Sequence, residues 1–403
     1  MLDTSFTLSL VRNVYYNFFL LLCALVGCAV VLEVLLRLLG IGFPYFSRVD
    51  PDMGFSLRPF ASGEQHQEGH AFIRINSDGL RDREHTLDKP RDTIRIAVLG
   101  DSYAEARQVD REETFWSHLE RDLASCDALA GRSVEVLNFG VSGYGTTQEY
   151  QMLQSKVWKY DPDIVLLAFT TGNDVRNNSL ALEGNTQKPY HVYRDGALIL
   201  DLSFRERDFF RFQQSPFVKT AHVVINHSRV LQVINRAYSV WKGRNVLTAR
   251  SVQQMRPLEQ QMENAVYGEP ETEEWREAWE ITEDVLRLIA SEARVRDAQF
   301  LLMTLSNPLQ LFPEKSVREA VLRERGIPDF FYPERRLQRL AEGENFPILT
   351  LAPKLQRMVD EEDIVLHGFD NTNFGKGHWN EEGHRRAAEL MVPFVCEALG
   401  TIQ

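Results

Sequence analysis

Three apolar runs rich in β-branched residues constrain this chain most, because each ends abruptly in a polar, glycine-containing loop. Short apolar runs of this kind predict buried strands. The runs are Ile94–Leu99, Val134–Asn138 and Ile164–Phe169. The loops that follow them contain Gly100-Asp101-Ser102, Ser142-Gly143-Tyr144 and Gly172-Asn173-Asp174. Since the carboxyl ends of parallel strands share one edge of a sheet, we expect these three loops to meet.

Helical patterns separate these strands along the chain. Amphipathic periodicity predicts helices over 114–124, 148–160, 273–294, 332–341 and 381–399, the last with Asn380 as its N-cap. Two further strands are predicted over 298–304 and 347–351. Strands that alternate with helices predict an α/β fold with a doubly wound, five-stranded parallel sheet.

Residues 180–272 interrupt that alternation with aromatic patches and many charges. We interpret them as a mainly helical insertion between sheet elements. Such a segment suits a lid, a substrate wall or a membrane-facing surface, or a helical elaboration that packs on the core.

The segment Phe18–Leu39 is almost entirely apolar. At the helical rise its length is about 33 Å, which is enough to cross a bilayer. Glu33 and Arg37 interrupt it four residues apart, so they can pair on one face of a helix. We favour a retained, single-pass anchor with the rest of the chain outside the cytoplasmic membrane. A cleaved signal peptide and a lipoprotein box at Leu25–Cys28 are the alternatives.

The expected domain organisation follows from these segments. Residues 1–43 form the N-terminal segment with the anchor at about 18–39, and residues 44–90 form a lead-in with a hairpin turn at Asp78-Gly79. Residues 91–403 form the α/β domain, which contains the insertion at about 180–272.

Composition excludes some partners. The net charge of −12 argues against nucleic acid, because phosphate binding needs clustered lysine and arginine. No Cys-x-x-Cys pair is present, so a structural zinc site is not expected. Cys126 and Cys396 either form a disulfide in an oxidising compartment or remain buried free thiols.

The loops after the strands carry residues suited to acyl transfer. That chemistry needs a nucleophile, a base and hydrogen-bond donors aimed at the developing oxyanion. Ser102 supplies a hydroxyl, although Gly-Asp-Ser alone favours a turn with a helix N-cap. The N–H groups of Ser102 and Gly143 and the side-chain amide of Asn173 could form the oxyanion hole.

The base is expected to be a histidine. His378 lies in the loop before the last helix, which places it at the same sheet edge as Ser102. His367 precedes this loop and is a weaker candidate, and His384 is expected to pack or cap within the helix.

Ser102, Gly143, Asn173 and His378 occur in an order that resembles the four sequence blocks of the SGNH (GDSL-type) hydrolase family. The chain resembles a membrane-anchored bacterial-type member over about residues 91–180 and 275–400. The resemblance implies a flavodoxin-like three-layer α/β/α fold, a serine nucleophile and a histidine base. It also implies no metal or organic cofactor, and acyl-ester substrates on lipids or carbohydrates.

The chain departs from the family pattern at the catalytic acid. The family places an aspartate three residues before the histidine, where this chain has Gly375. Asp370 is the nearest upstream carboxylate, and we expect it to orient His378 if the loop folds back. The alternative is a Ser-His dyad in which a backbone carbonyl orients the histidine.

Three functions compete at this stage. The first is a serine esterase that removes acyl groups, O-acetyl among them, from an extracytoplasmic carbohydrate or lipid. The second is an O-acyltransferase in surface-polysaccharide modification. The third is a catalytically weak scaffold of the same system, which only the missing aspartate favours. In each case the N-terminal helix links the protein to a membrane, and no nucleic acid is involved.

Overall fold

The computed structural model describes residues 4–246 and 265–401. Its strands are β1 (Ser47–Asp50), β2 (Gly54–Leu57), β3 (Ser62–Gln65), β4 (Ala71–Arg74), β5 (Thr93–Gly100), β6 (Ser133–Asn138), β7 (Ile164–Thr170), β8 (Tyr190–Arg194), β9 (Ala197–Asp201), β10 (Gln299–Leu305) and β11 (Ile348–Thr350). Its α-helices are α1 (Thr4–Leu38), α2 (Ser102–Glu105), α3 (Phe115–Leu123), α4 (Thr146–Ser155), α5 (Asp174–Asn177), α6 (Leu180–Glu183), α7 (Asp208–Gln214), α8 (Pro216–His227), α9 (Arg229–Val246), α10 (Glu273–Val295), α11 (Lys315–Arg325), α12 (Tyr332–Glu344), α13 (Ala352–Glu362) and α14 (Glu381–Leu399).

The central sheet has five parallel strands in the order β11-β10-β7-β5-β6. Counted along the chain from β5, this is the order 2-1-3-4-5 of flavodoxin-like folds. The registers align the strand ends, with Gly100 opposite Ala168 and Val98 opposite Asn138. The predicted fold class is therefore confirmed, and the loops after β5, β6 and β7 leave the sheet at one edge.

Successive side chains along the strands pack alternately in two separate hydrophobic cores. On β7, Ile164, Leu166 and Ala168 pack in the core that includes α3 and α14. The intervening Val165, Leu167 and Phe169 pack in the core that includes α4 and α10. Every residue of β5 and β7 is buried, as expected for parallel strands covered on both faces. The result is the expected three-layer arrangement.

The predicted helices and strands of the sheet domain are present, with shifts of a few residues at their ends. Asn380 is the N-cap of α14, as predicted, since its Oδ1 accepts a hydrogen bond from the N–H of Gly383 at 2.9 Å. Helices α11 and α13 were not anticipated from the pattern. The insertion contains α7, α8 and α9, together with the β8–β9 hairpin.

The lead-in forms two antiparallel hairpins, β1–β2 and β3–β4. The prediction that Asp78-Gly79 closes a hairpin is wrong. These residues form a separate turn after β4, in which the N–H of Gly79 donates to the carbonyl of Asn76 at 3.1 Å. The turn lies outside both hairpins because β4 ends at Arg74. The side chain of Asn76 closes the turn by accepting the N–H groups of Asp78 and Leu80.

The chain forms two compact units. The first joins the N-terminal segment, up to Tyr45, with a segment that begins at Gln214, and it contains α1, α8 and α9. The second contains the sheet, both lead-in hairpins and the helices that cover the sheet. The domain bounds expected from the sequence remain a prediction.

Helix α1 includes the one stretch among the described residues, Asn13–Leu38, that is long and apolar enough to cross a membrane. The expected pairing within it is confirmed, since Nε of Arg37 donates to Oε1 of Glu33 at 2.8 Å.

Cys126 and Cys396 form a disulfide, which resolves the alternative left open by the sequence. The bond ties the turn after α3 to the last helix across a sequence separation of 270 residues.

Candidate active site

Ser102 lies where β5 ends and α2 begins. The all-buried strand stops at Gly100, and Asp101 then caps the short helix by accepting the N–H of Tyr103 on Oδ1 at 2.9 Å. Ser102 is the first residue of that helix and is partly exposed. The strand-to-helix turn therefore presents the Ser102 hydroxyl at the carboxyl edge of the sheet.

Asp101 is fully buried and braces the neighbouring loop instead of contacting the histidine. Its Oδ2 accepts Nδ2 of Asn173 at 2.6 Å, and its Oδ1 accepts Oγ1 of Thr170 at 3.0 Å. Burial raises the pKa of Asp101, while these hydrogen bonds and that of Tyr103 oppose the increase. The carboxyl group thereby fixes the loop after β7 beside the serine.

His378 contacts Ser102 directly. Its Nε2 lies 2.8 Å from Oγ of Ser102, although 276 residues separate the two positions. The ring of Tyr103 packs against the imidazole with 4.9 Å between ring centroids. The pairing predicted from the order of the loops is thus present in the structure.

The carboxylate at His378 is Glu68, and the expectation that Asp370 orients the histidine is not met. Oε2 of Glu68 accepts Nδ1 of His378 at 2.6 Å, and Oε1 accepts the backbone N–H of the same residue at 2.6 Å. Asp370 is exposed and lines a shallow pocket with Phe369 and Asn371. Glu68 accepts from both the backbone N–H and Nδ1 of His378, so no donor of the histidine is left for Asp370.

Glu68 reaches the site from the loop between β3 and β4. Asn371 fastens this loop, since its side chain accepts the N–H of Gly69 at 3.0 Å and donates to the carbonyls of Gly69 and His66. The contact also needs glycine at position 377, where φ is +74° and a Cβ would lie 2.0 Å from Oε1 of Glu68. Glu68 was not predicted from the sequence because it lies 310 residues from His378. Its local sequence, a glutamate in a polar turn of the lead-in, does not indicate a contact with the histidine.

Glu68 is held in its ionised form. Burial raises its pKa, but the hydrogen bonds and charge of His378 outweigh that effect, and the pKa of Glu68 is lowered overall. A carboxylate at Nδ1 fixes the proton of the neutral imidazole on that nitrogen. Nε2 then carries the lone pair that can accept the proton of Ser102.

The expected oxyanion donors, Gly143 and Asn173, lie in the loops that follow β6 and β7. Gly143 has a φ of +83°, a conformation that favours glycine, and no described residue accepts its N–H. Its carbonyl accepts the buried Nζ of Lys188 at 3.3 Å, which holds the loop in place. Asn173 uses one Nδ2 hydrogen on Asp101 and keeps a second one for a ligand.

The other two histidines have structural roles. Nδ1 of His367 donates to the carbonyl of Gly377 at 2.8 Å, and its Nε2 lies 3.2 Å from Oγ of Ser306. His384, on α14, accepts the N–H of Phe115 on Nδ1 at 3.2 Å, as its position in the helix led us to expect. His367 therefore supports the backbone that carries His378.

Because burial lowers the pKa of His367 to about 3, its contribution to stability is expected to depend on pH. Between the ordinary histidine pKa of about 6.5 and that value, the unfolded chain binds a proton that the folded chain does not. The stabilisation is therefore present above pH ~6.5 and is lost as the pH falls. We expect the free energy of unfolding, measured by urea titration of detergent-solubilised protein, to fall with decreasing pH below pH ~6.5. The slope of this fall should be smaller by about 1.4 kcal/mol per pH unit in His367→Gln than in the wild type. Equal slopes would contradict this assignment.

A separate group of possible metal ligands lies on the β3–β4 hairpin. The side chains of Glu64, His66 and His70 are exposed, and their ligand atoms lie within 4.8 Å of one another. Nε2 of His66 lies 2.7 Å from Oε2 of Glu64, so these two exposed side chains are hydrogen-bonded to each other.

No family model matches the sequence, and no curated protein matches it. Among solved structures, the acetyl xylan esterase AlAXEase is 12% identical with a TM-score of 0.38, and the match covers 75% of this chain and 100% of that chain. A catalytic mutant of Axe2, an acetylxylan esterase from Geobacillus stearothermophilus, is 13% identical with a TM-score of 0.36 and coverage of 74% and 93%. A lipolytic protein of the G-D-S-L family from Desulfitobacterium hafniense is 10% identical with a TM-score of 0.33 and coverage of 74% and 98%. These overall superpositions are weak, so the functional proposals below rest on this chain's own topology and side-chain geometry.

Proposed function

We propose that this chain is a serine esterase of the SGNH type, which cleaves acyl esters through an acyl-enzyme on Ser102. One observation carries the proposal, the continuous chain of hydrogen bonds from Glu68 through His378 to the Ser102 hydroxyl. The three groups have the relative positions that a nucleophile, a general base and an orienting acid require.

In the proposed reaction, Nε2 of His378 takes the proton of Ser102 as Oγ attacks the ester carbonyl carbon. The N–H groups of Ser102 and Gly143 and the remaining Nδ2 hydrogen of Asn173 donate to the negative oxygen of the tetrahedral intermediate. His378 then returns the proton to the leaving alkoxide, which departs as an alcohol and leaves the acyl group on Ser102.

Water completes the cycle. His378 takes a proton from water as the oxygen attacks the acyl-enzyme. The second intermediate collapses by breaking the bond from the acyl carbon to Oγ, and Nε2 of His378 returns its proton to Oγ, which releases a carboxylic acid and restores the Ser102 hydroxyl. Glu68 stays ionised throughout and stabilises the imidazolium that forms twice per turnover.

We propose further that the esterase is a single-pass membrane protein whose catalytic part lies outside the cytoplasmic membrane. The apolar stretch Asn13–Leu38 supports the anchor. The Cys126–Cys396 disulfide supports the location, because disulfides persist mainly in oxidising compartments. The substrates proposed are acyl esters, O-acetyl esters among them, of carbohydrates or lipids at that surface.

Glu68 also bears on the competing functions. The only feature that favoured a catalytically weak scaffold was the aspartate missing before His378. Glu68 supplies a carboxylate at Nδ1 of His378, so this argument for a scaffold no longer applies. Transfer to a sugar hydroxyl instead of water would use the same acyl-enzyme, so that alternative is decided by the acceptor.

The test uses the full-length protein in detergent with p-nitrophenyl acetate, longer p-nitrophenyl esters and an O-acetylated oligosaccharide. We expect turnover with release of free acid, and labelling by a fluorophosphonate that Ser102→Ala abolishes. Acetyl groups appearing on an added acceptor oligosaccharide faster than free acetate would identify a transferase. No turnover and no labelling in folded protein would overturn the catalytic proposal.

A further inference from the structure

The segment that contains α8 and α9 has an unusual charge for this chain. Acidic residues make up 57 of the 403 positions, yet none occurs between residues 209 and 258. The same stretch contains eight lysine or arginine residues. A positive segment of this kind, in a chain with a net charge of −12, favours an anionic partner.

Both helices also leave apolar side chains in solvent. On α9, Ile234, Tyr238 and Trp241 recur at intervals of four and three residues and are 57%, 57% and 61% exposed. On α8, Phe217 and Val224 lie on one face and are 78% and 52% exposed. Helical spacing makes each set a stripe, and exposed apolar stripes flanked by basic residues are typical of helices that lie in a membrane interface.

The consecutive helices α8 and α9, which we call the helical hairpin, are hydrogen-bonded to the C-terminal part of the apolar helix α1. The carboxylate of Glu33 accepts the backbone N–H groups of Arg229 and Val230, each at 3.0 Å, and so caps the N-terminus of α9. Nη2 of Arg37 donates to the carbonyl of His227, the last residue of α8, at 2.7 Å. Glu33 lies five residues before the end of α1, or about 7.5 Å along its axis.

The residues after α1 continue this attachment. The N–H of Phe43 donates to Oε1 of Gln232 at 2.9 Å, and the guanidinium of Arg236 lies over the Phe43 ring, 5.9 Å from its centroid. If α1 crosses the bilayer, the junction of α8 and α9 therefore lies at the bilayer surface.

A lipid surface fits these features better than a second copy of the chain. Tryptophan and tyrosine are the residues that favour the boundary between lipid and water. Anionic headgroups attract lysine and arginine side chains that lie near the bilayer surface. Two copies meeting through this hairpin would bring like charges together, because it contains no acidic residue.

We propose that α8 and α9 form a membrane-surface docking element, which binds the anionic surface of the bilayer entered by α1 and inserts the exposed stripe with Trp241 into the interface. The proposal rests on α1 as a membrane span and is independent of the chemistry at Ser102. Docking gives the first unit a second point of attachment to the bilayer besides α1.

The test uses full-length protein reconstituted into phosphatidylcholine vesicles, with and without ~30% phosphatidylglycerol, that contain either ordinary or brominated lipid. Bromine quenches tryptophan only at short range, and Trp241 is one of six tryptophans. In phosphatidylglycerol vesicles, brominated lipid should remove a fraction of the emission in wild type and in Trp158→Phe. That fraction should be absent in Trp241→Phe. It should shrink in the wild type when phosphatidylglycerol is omitted or salt is raised.

Equal quenching in all three proteins would overturn the proposal. So would a Trp241 that is protected from bromine while sedimentation shows a dimer, since a second copy would then cover the stripe. Wild-type protein that washes off vesicles at alkaline pH would overturn both the anchor and the docking. Hydrolysis of p-nitrophenyl acetate, measured in detergent on the same proteins, should be unchanged in Trp241→Phe and reports separately on the proposed esterase.

Discussion

Replacing Ser102 by alanine should lower kcat for p-nitrophenyl acetate by about 10⁶-fold, the scale seen when the serine of a catalytic triad is removed. Among the described residues, no other hydroxyl group is hydrogen-bonded to Nε2 of His378, so no other group can replace Ser102 as the nucleophile. Binding and the oxyanion donors are left intact, so the residual rate should be that of a site without a nucleophile.

Ser142→Ala is the matched control for this prediction. Ser142 precedes Gly143 in the loop after β6, and its backbone N–H donates to Oε2 of Glu105 at 2.6 Å, a bond that the substitution keeps. The control should retain activity within a few-fold, and the fluorophosphonate should label it but not Ser102→Ala. A Ser102→Ala protein with near-normal turnover would show that the nucleophile lies elsewhere.

Glu68→Gln should have the second largest effect, a fall in kcat of up to about 10⁴-fold with little change in KM. Glutamine fills the same space, but its amide group is neutral and can turn an N–H toward Nδ1 of His378. The imidazolium then loses its stabilising charge, and the tautomer with a lone pair on Nε2 is no longer enforced. Steady-state kinetics with p-nitrophenyl acetate measures both constants.

Asp370→Asn separates this assignment from the one suggested by the sequence. Asp370 is exposed and lies in the shallow pocket beside Phe369, while Glu68 makes both contacts to His378. The substitution should therefore leave kcat unchanged. Inactive Asp370→Asn with active Glu68→Gln would reverse the roles proposed for the two carboxylates. Glu68→Asp, which keeps the charge on a shorter side chain, should recover part of the lost activity.

The sheet and most of the site follow from local sequence. The alternation of Ile164–Phe169 between two cores needs only a strand period of two, and the stop at Gly100-Asp101-Ser102 needs only turn chemistry. Once three such strands are parallel, their loops share an edge, which is why Ser102 and His378 could be paired across 276 residues. The two helices missed, α11 and α13, belong to the connections after β10 and β11, where the sheet pattern gives no guidance.

The contacts of two carboxylates, Glu68 and Glu33, depend on tertiary structure and could not be predicted from local sequence. Glu68 sits in an ordinary polar turn, and nothing in its neighbourhood indicates that the loop anchored by Asn371 delivers it to His378. In the sequence, Glu33 is only a charge that interrupts an apolar segment. In the structure its carboxylate accepts a backbone N–H at the start of α9. The strands, the turn at Ser102 and the order of the site loops can be predicted from local sequence, because periodicity and turn residues act over a few positions. Which carboxylate orients His378 depended on how two loops 310 residues apart pack together, and no local pattern records that contact.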